Sequence, residues 1–168
     1  MFCDRIYPMK KTINRLGGIF SALSIAAVAG CTWVGVVDFR EKTDCMTANI
    51  YHEARGEPIK GQYAVAHVVM NRVHHEQFPN SVCEVIFQPK QFSWTHTIDD
   101  PRPRDYKAWN TARKIALDVM YGDTPDYTFD AIYYHADYVD PWWAKADGMF
   151  MTRTIGRHIF YNYDGVWE

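Results

Sequence analysis

In the stretch YHEARGEPIKGQYAVAHVVMNRV, residues 51–73, Glu53 and Glu57 stand four apart around an Arg-Gly pair, just ahead of a nearly unbroken apolar run. On a continuous helix, four-residue spacing puts two side chains on one face, one turn apart. Gly56 and Pro58 are helix-stopping residues, so Glu53 is expected on the helix proper and Glu57 on the turn that ends it. A glutamate packed against apolar surface loses hydration of its charged form. Its pKa then rises toward the range useful to a general acid near neutral pH. The chemistry that suits such a group is protonation of a leaving-group oxygen, as in cleavage of a glycosidic bond. The residues alone leave another arrangement open, in which both glutamates pair with Arg55 or Arg72 on a solvated face.

The pattern around these residues predicts the elements that position them. Thr43 or Asp44 can cap a first helix, on which Met46, Ile50 and Ala54 recur at a spacing of four. A second helix is expected from about Ile59 to His74. Ala64, Val65, Val68, Val69 and Val73 supply its apolar face and Ala66 and Met70 widen it, so it should lie at the centre of the domain. Residues 80–104 read as loop, punctuated by PNS, QPKQFSW and DDPRPR. A third amphipathic helix is expected from about Asp105 to Tyr121, with Ala108, Ala112, Ile115, Ala116 and Val119 inward and Gly122 as its stop. AIYYHA and RTIGRHIFYNY read as short strands or a hairpin. The fold class is therefore α+β, mainly α-helical.

A chain of 168 residues suffices for one domain with an appendage. Aromatic residues make up 15% of it and concentrate in the C-terminal half, a composition that either fills a core or lines a carbohydrate cleft. The net charge of −2 provides no basic footprint, and nucleic acid is set aside as a partner. No cofactor or oligomeric partner is implied, and a monomer is expected.

Residues 1–37 are expected to be a signal peptide or signal anchor, 38–43 a linker, and 44–168 the working domain. Arg5, Lys10, Lys11 and Arg15 precede the uncharged run Leu16–Val37, and Asp38, Glu41 and Asp44 follow it, which orients the N-terminus toward the cytoplasm and exports the rest. Met9 is a candidate alternative start. Three fates stay open. Val28-Ala29-Gly30-Cys31 resembles a lipobox, which would place a lipid on Cys31. The weakly apolar, Gly- and Ala-rich residues 16–37 also resemble the signal-arrest-release segments of phage endolysins. A permanent anchor is the third. An exported domain meets an oxidising compartment, where Cys45, at the entry to the first helix, is the natural partner for Cys83, after the second.

The segments IYHEARGEPIKGQYAVAHVVMNRV, FPNSVCEVIFQPKQFSW, YYHA and TIGRHIFY together resemble the SleB/CwlJ-type cell wall hydrolase family over about residues 44–163. The resemblance implies a compact lysozyme-like or lytic-transglycosylase-like fold, peptidoglycan as substrate, and Glu53 as the catalytic glutamate. It gives Glu57 a supporting role and places Asn71, Gln91, Ser93, Tyr134, His135 and His158 at supporting or substrate-binding positions. No partner carboxylate is obvious. A lytic transglycosylase works with one acid/base, because the muramic acid C6 hydroxyl attacks in place of water. Hydrolysis would need a base such as Asp99, Asp100 or Glu57. The size and N-terminus suit a phage or Gram-negative lysis enzyme, with a bacterial lipoprotein as the other setting. Two further classes stay open: a zinc amidase or peptidase using some of the seven histidines, although no HExxH is present, and a non-catalytic peptidoglycan-binding lipoprotein.

Overall fold

The computed structural model describes residues 29–98 and 102–165, with side chains from residue 38 onward. The expectations for residues 1–28, for a lipid on Cys31 and for Asp99 and Asp100 lie outside what is described. Among the described residues no helix is long and apolar enough to cross a membrane. The chain divides into two units, Met1–Glu41 and Lys42–Glu168. The described part of the first is helical backbone. The sheet, the remaining helices and the site described below belong to the second.

Among the described residues, five α-helices and three strands follow in chain order: α1 (Ala29–Ala54), α2 (Ile59–His74), α3 (Val82–Ile86), α4 (Trp94–Thr97), α5 (Tyr106–Tyr121), β1 (Tyr133–Ala136), β2 (Met149–Ile155) and β3 (His158–Tyr163), with a 3-10 turn at Trp142–Lys145 between β1 and β2. The class is α+β, with one antiparallel sheet in the order β1–β3–β2.

The start of α1 differs from expectation. Neither Thr43 nor Asp44 caps it, because the helix already runs through both. No proline interrupts residues 29–54, and the DFREKT run contains good helix formers. Thr43 is buried inside the helix and its carbonyl accepts a hydrogen bond from Thr47 Oγ1 at 2.6 Å. Asp44 instead pairs with Arg113 of α5 at 2.9 Å. The other end behaves as Gly56 and Pro58 require. α1 stops at Ala54, and the Glu57 N–H closes the turn on the Ala54 carbonyl at 2.9 Å.

α2 is buried on nearly every side, from Gly61 and Gln62 through Val69 to Arg72. Its length matches the apolar run because nothing between Pro58 and His75 breaks the backbone ladder. Residues 80–104 are not simply loop. α3 and α4 form within them, each too short to show a period, and Val82, Val85, Ile86, Phe92 and Trp94 reach the core from them. α5 begins at an N-cap, Asp105, whose carboxylate accepts from the Lys107 and Ala108 N–H groups at 3.0 Å each. Cys45 on α1 and Cys83 on α3 are joined as a disulfide with their Cα atoms 5.5 Å apart.

The sheet packs on α2 through one apolar cluster of Ala64, Val68, Ala131, Ile155 and Phe160. β2 and β3 are joined at Gly156-Arg157, where Gly156 has φ +59°. A Cβ at that position would fall on Glu57 Oε2, well inside contact distance. Left-handed backbone and lack of space therefore both require glycine there. Gly156→Ala is expected to cost about 1–3 kcal/mol, the range of strain at a left-handed position. Urea denaturation checks this, and an unchanged midpoint would show that the turn relaxes freely.

Candidate active site

The C-terminal turn of α1 carries Glu53 to the edge of a cleft of about 640 Å³. Glu53 is half-buried. Its neighbour His52 stacks on Trp94 of α4, ring centroids 4.8 Å apart and nearly parallel. The Trp94 indole N–H donates to Asn49 Oδ1 at 3.0 Å. This α1–α4 contact brings the QFS segment, residues 91–93, to one wall of the cleft.

The sheet builds the other wall. Tyr134 on β1 donates its hydroxyl proton to Glu53 Oε2 at 3.2 Å. β3 pairs with β1 so that Ala136 lies opposite His158 and Tyr134 opposite Phe160. The His158 ring meets the Tyr134 ring edge-on at 5.0 Å. His135 has both ring nitrogens engaged, Nδ1 with the Ala136 carbonyl at 2.9 Å and Nε2 with the Tyr161 hydroxyl at 3.0 Å. A carbonyl can only accept, so Nδ1–H donates to it, and Nε2 is left to the Tyr161 hydroxyl. His135 is thereby fixed in place by two bonds.

Electrostatics separate the two glutamates. Burial pushes the Glu53 carboxyl above its ordinary pKa, opposed by the Tyr134 hydrogen bond and the field of the Arg72 guanidinium. Tyr134 is driven well above the usual tyrosine range, chiefly by burial and also by Glu53, so it remains a proton donor. Burial pushes His158 below its ordinary value.

Glu57 does something else. Its Oε2 accepts the Arg157 backbone N–H at 2.8 Å, its carbonyl accepts from Gln62 Nε2 at 3.0 Å, and it is not among the residues lining the cleft. It ties the end of α1 to the β2–β3 turn. Neither glutamate makes the arginine pair left open by the sequence. Arg55 donates to the Tyr51 carbonyl, and Arg72 lies buried with its Nε–H on the Ile132 carbonyl at 2.7 Å.

Of the remaining residues singled out from sequence, Gln91, Ser93, Tyr134, His135 and His158 all line the cleft with Glu53. Asn71 does not. Its amide nitrogen donates to Asp126 Oδ2 at 2.9 Å and to the Ala131 carbonyl at 3.0 Å, fastening the end of α2 to the loop before β1. Arg72, His52, Lys90, Tyr138 and Val139 also line the cleft and were not anticipated as site residues. Arg72 did leave a signal: it continues the register of Val65 and Val68/Val69 on the buried face of α2, where a charge is out of place. Tyr138 and Val139 follow β1 in a loop with no periodic pattern, and nothing in their types marked them.

Comparison with known proteins identifies the family and the fold. The model of the Cell Wall Hydrolase family matches residues 56–161. Spore cortex-lytic enzyme of Bacillus subtilis is 38% identical over 117 residues, covering 66% of this chain and 34% of that protein. The enzyme of the same name from Bacillus cereus is 40% identical over 117 residues, covering 68% of this chain and 42% of its own. The chain thus spans roughly a third to two fifths of the length of these curated relatives. Among solved structures, the catalytic domain of Bacillus cereus SleB superposes with a TM-score of 0.62 at 35% identity, covering 73% of this chain and 91% of that one. The catalytic domain of the germination-specific lytic transglycosylase SleB from Bacillus anthracis gives 0.58 at 35% identity, covering 72% and 93%. The fold is that of a SleB-type catalytic domain. The chain belongs to the cell wall hydrolase family.

Proposed function

We propose that this protein degrades peptidoglycan by cleaving the bond between N-acetylmuramic acid and N-acetylglucosamine, with Glu53 as sole acid and base, in the manner of a lytic transglycosylase. The observation that carries the reading is that Glu53 is the single carboxylate among the described residues lining the cleft. Canonical two-carboxylate glycosidases place the second group across the bond, about 5–9.5 Å from the first. Glu57, the nearest in sequence, is engaged by the Arg157 N–H.

The steps follow from one group that gives a proton and takes one back. Neutral Glu53, favoured by burial, protonates the leaving oxygen as the C1–O bond breaks and positive charge spreads over the muramic acid ring. The Tyr134 hydroxyl, already on Oε2, stabilises the carboxylate that results. That carboxylate then removes the proton of the C6 hydroxyl as O6 bonds to C1, which closes a 1,6-anhydro ring and restores neutral Glu53. No water is consumed. Gln91, Ser93 and the His135 ring are assigned to holding the glycan strand, and Glu57 to holding the sheet wall in register.

Digestion of purified peptidoglycan followed by mass analysis of the muropeptides tests this. Products ending in 1,6-anhydromuramic acid are expected. Reducing-end muramic acid without the anhydro form would replace transglycosylation by hydrolysis and require a second base. We further assign the enzyme to the exported side of the membrane, a reading supported by the Cys45–Cys83 bridge, since disulfides persist in oxidising compartments. Cell wall turnover and phage-induced lysis are the two settings in which it would act there.

A further inference from the structure

Arg72 is a full positive charge inside the domain, and among the described residues no carboxylate is in ion-pair contact with it. Only 4% of its surface is exposed. One donor, Nε, is used on the Ile132 carbonyl at 2.7 Å, while Nη1 is sealed from solvent and has no partner. The rings of Phe78, Phe92 and Tyr133 surround the guanidinium with centroids 5.3, 5.5 and 5.8 Å away. Ring faces attract and place a cation, yet they neither neutralise it nor satisfy its N–H groups. A buried charge without a counter-charge is costly, and a well-packed apolar residue of similar size would avoid the cost. Among the described residues lining the cleft that Arg72 borders, the one carboxylate is Glu53.

We propose that Arg72 is a positioning residue, the preset counter-charge of Glu53, stabilising through space the carboxylate left once the proton has moved to the leaving oxygen. The sealed Nη1 argues for action through the field rather than by touching the sugar. The inference rests on the reading of Glu53 as acid and base. Direction agrees with geometry: the guanidinium lowers the Glu53 pKa, counteracting part of the rise caused by burial. The same cation limits how strongly the proton is held, so that it can be given up, and the carboxylate retains enough basicity to retrieve the one on O6.

Other titratable and charged groups share the cleft: His52 on α1, Lys90 before α4, Tyr134 and His135 on β1, Tyr138 after it, and His158 on β3. They are common to the protein and its Arg72 variants. A difference between those proteins therefore reports Arg72.

The experiment follows the carboxyl carbon of Glu53 by NMR in glutamate-labelled protein across pH, with Glu53→Gln used to assign its signal. The pH–rate profile on purified peptidoglycan is recorded alongside. In Arg72→Met the titration midpoint of Glu53 is expected to rise by about one pH unit, the lower end of what an opposite charge nearby does. Activity needs neutral Glu53 at the start, so the alkaline limb of the profile should move up by a similar amount. Arg72→Lys, which keeps the charge, should leave both near the parent values. Arg72→Gln keeps an N–H for the Ile132 carbonyl and replaces the Met variant if that one does not fold. A midpoint unmoved in a folded, uncharged variant overturns the counter-charge assignment. Parent protein without glycan cleavage, or Glu53→Gln with full activity, overturns the catalytic reading of Glu53 and leaves the NMR midpoint as a separate result.

Discussion

Glu53→Gln is expected to lower the rate of glycan cleavage by about 10²–10⁴-fold, the contribution of a positioned general acid, while the protein stays folded. Glutamine has nearly the shape of glutamate and still offers an oxygen to the Tyr134 hydroxyl, so the cleft keeps its form and loses only the transferable proton. The same variant should be more stable than the parent at neutral pH. The sign follows from linkage. The folded-state pKa of Glu53 lies above its unfolded value, so the folded chain binds the proton more tightly. That contribution to stability is fully present below the unfolded pKa and is lost as pH rises through the folded one. Above it a half-buried charge is carried at a cost, which glutamine removes. Rate measurements on purified peptidoglycan and thermal melts at two pH values check both halves. Lost activity with a lowered melting temperature would instead point to damage to the fold.

Cutting the bridge between Cys45 and Cys83 is expected to produce the largest loss of stability. The two residues are 38 apart in sequence, and a loop of that size corresponds to about 4 kcal/mol in the loop-entropy description. For a domain of this size the melting temperature should fall by about 10–20 °C. Cys45→Ala, Cys83→Ala and the double variant should lose nearly equal amounts, because each removes the same bond. Thermal denaturation of the variants, and of the parent with and without reductant, measures the effect. Unequal single variants would show that one cysteine contributes through packing. Activity should decline with stability, since α3 precedes the 90–93 segment that walls the cleft opposite the sheet.

The sequence made some parts of this molecule legible because local chemistry and tertiary demand point the same way there. α2 follows its apolar run from Pro58 to His75, α5 has both a capping Asp105 and a stopping Gly122, and Gly56-Glu57-Pro58 allows no continued helix. Glu53 and five residues assigned beside it were readable through an extended family motif, and they do share one cleft. The misses have physical causes. α1 starts early because a cap-type residue does not end a helix that neighbouring residues can continue. α3 and α4 have five and four residues, too few for a period to declare itself. Asn71 is polar at the end of an apolar helix, which signals a buried hydrogen bond as readily as a binding role, and its partners prove to be Asp126 and Ala131. Arg72 by charge alone suits the exposed ion pair that the residues left open, whereas its register on α2 points inward.

The contact between Glu57 and the Gly156-Arg157 turn bears on how this domain can vary over time. At position 156 any side chain meets both a left-handed backbone and the Glu57 carboxylate. At position 57 a shorter side chain leaves the Arg157 N–H without its acceptor. Neither site can change first without loss, so the two form a locked pair, 99 residues apart in the chain, that drift alone cannot easily open. Alternatives at either position should be reached only by sequences that have rebuilt the whole β2–β3 turn, and a library randomised at both positions together should recover variants that one-at-a-time libraries never yield.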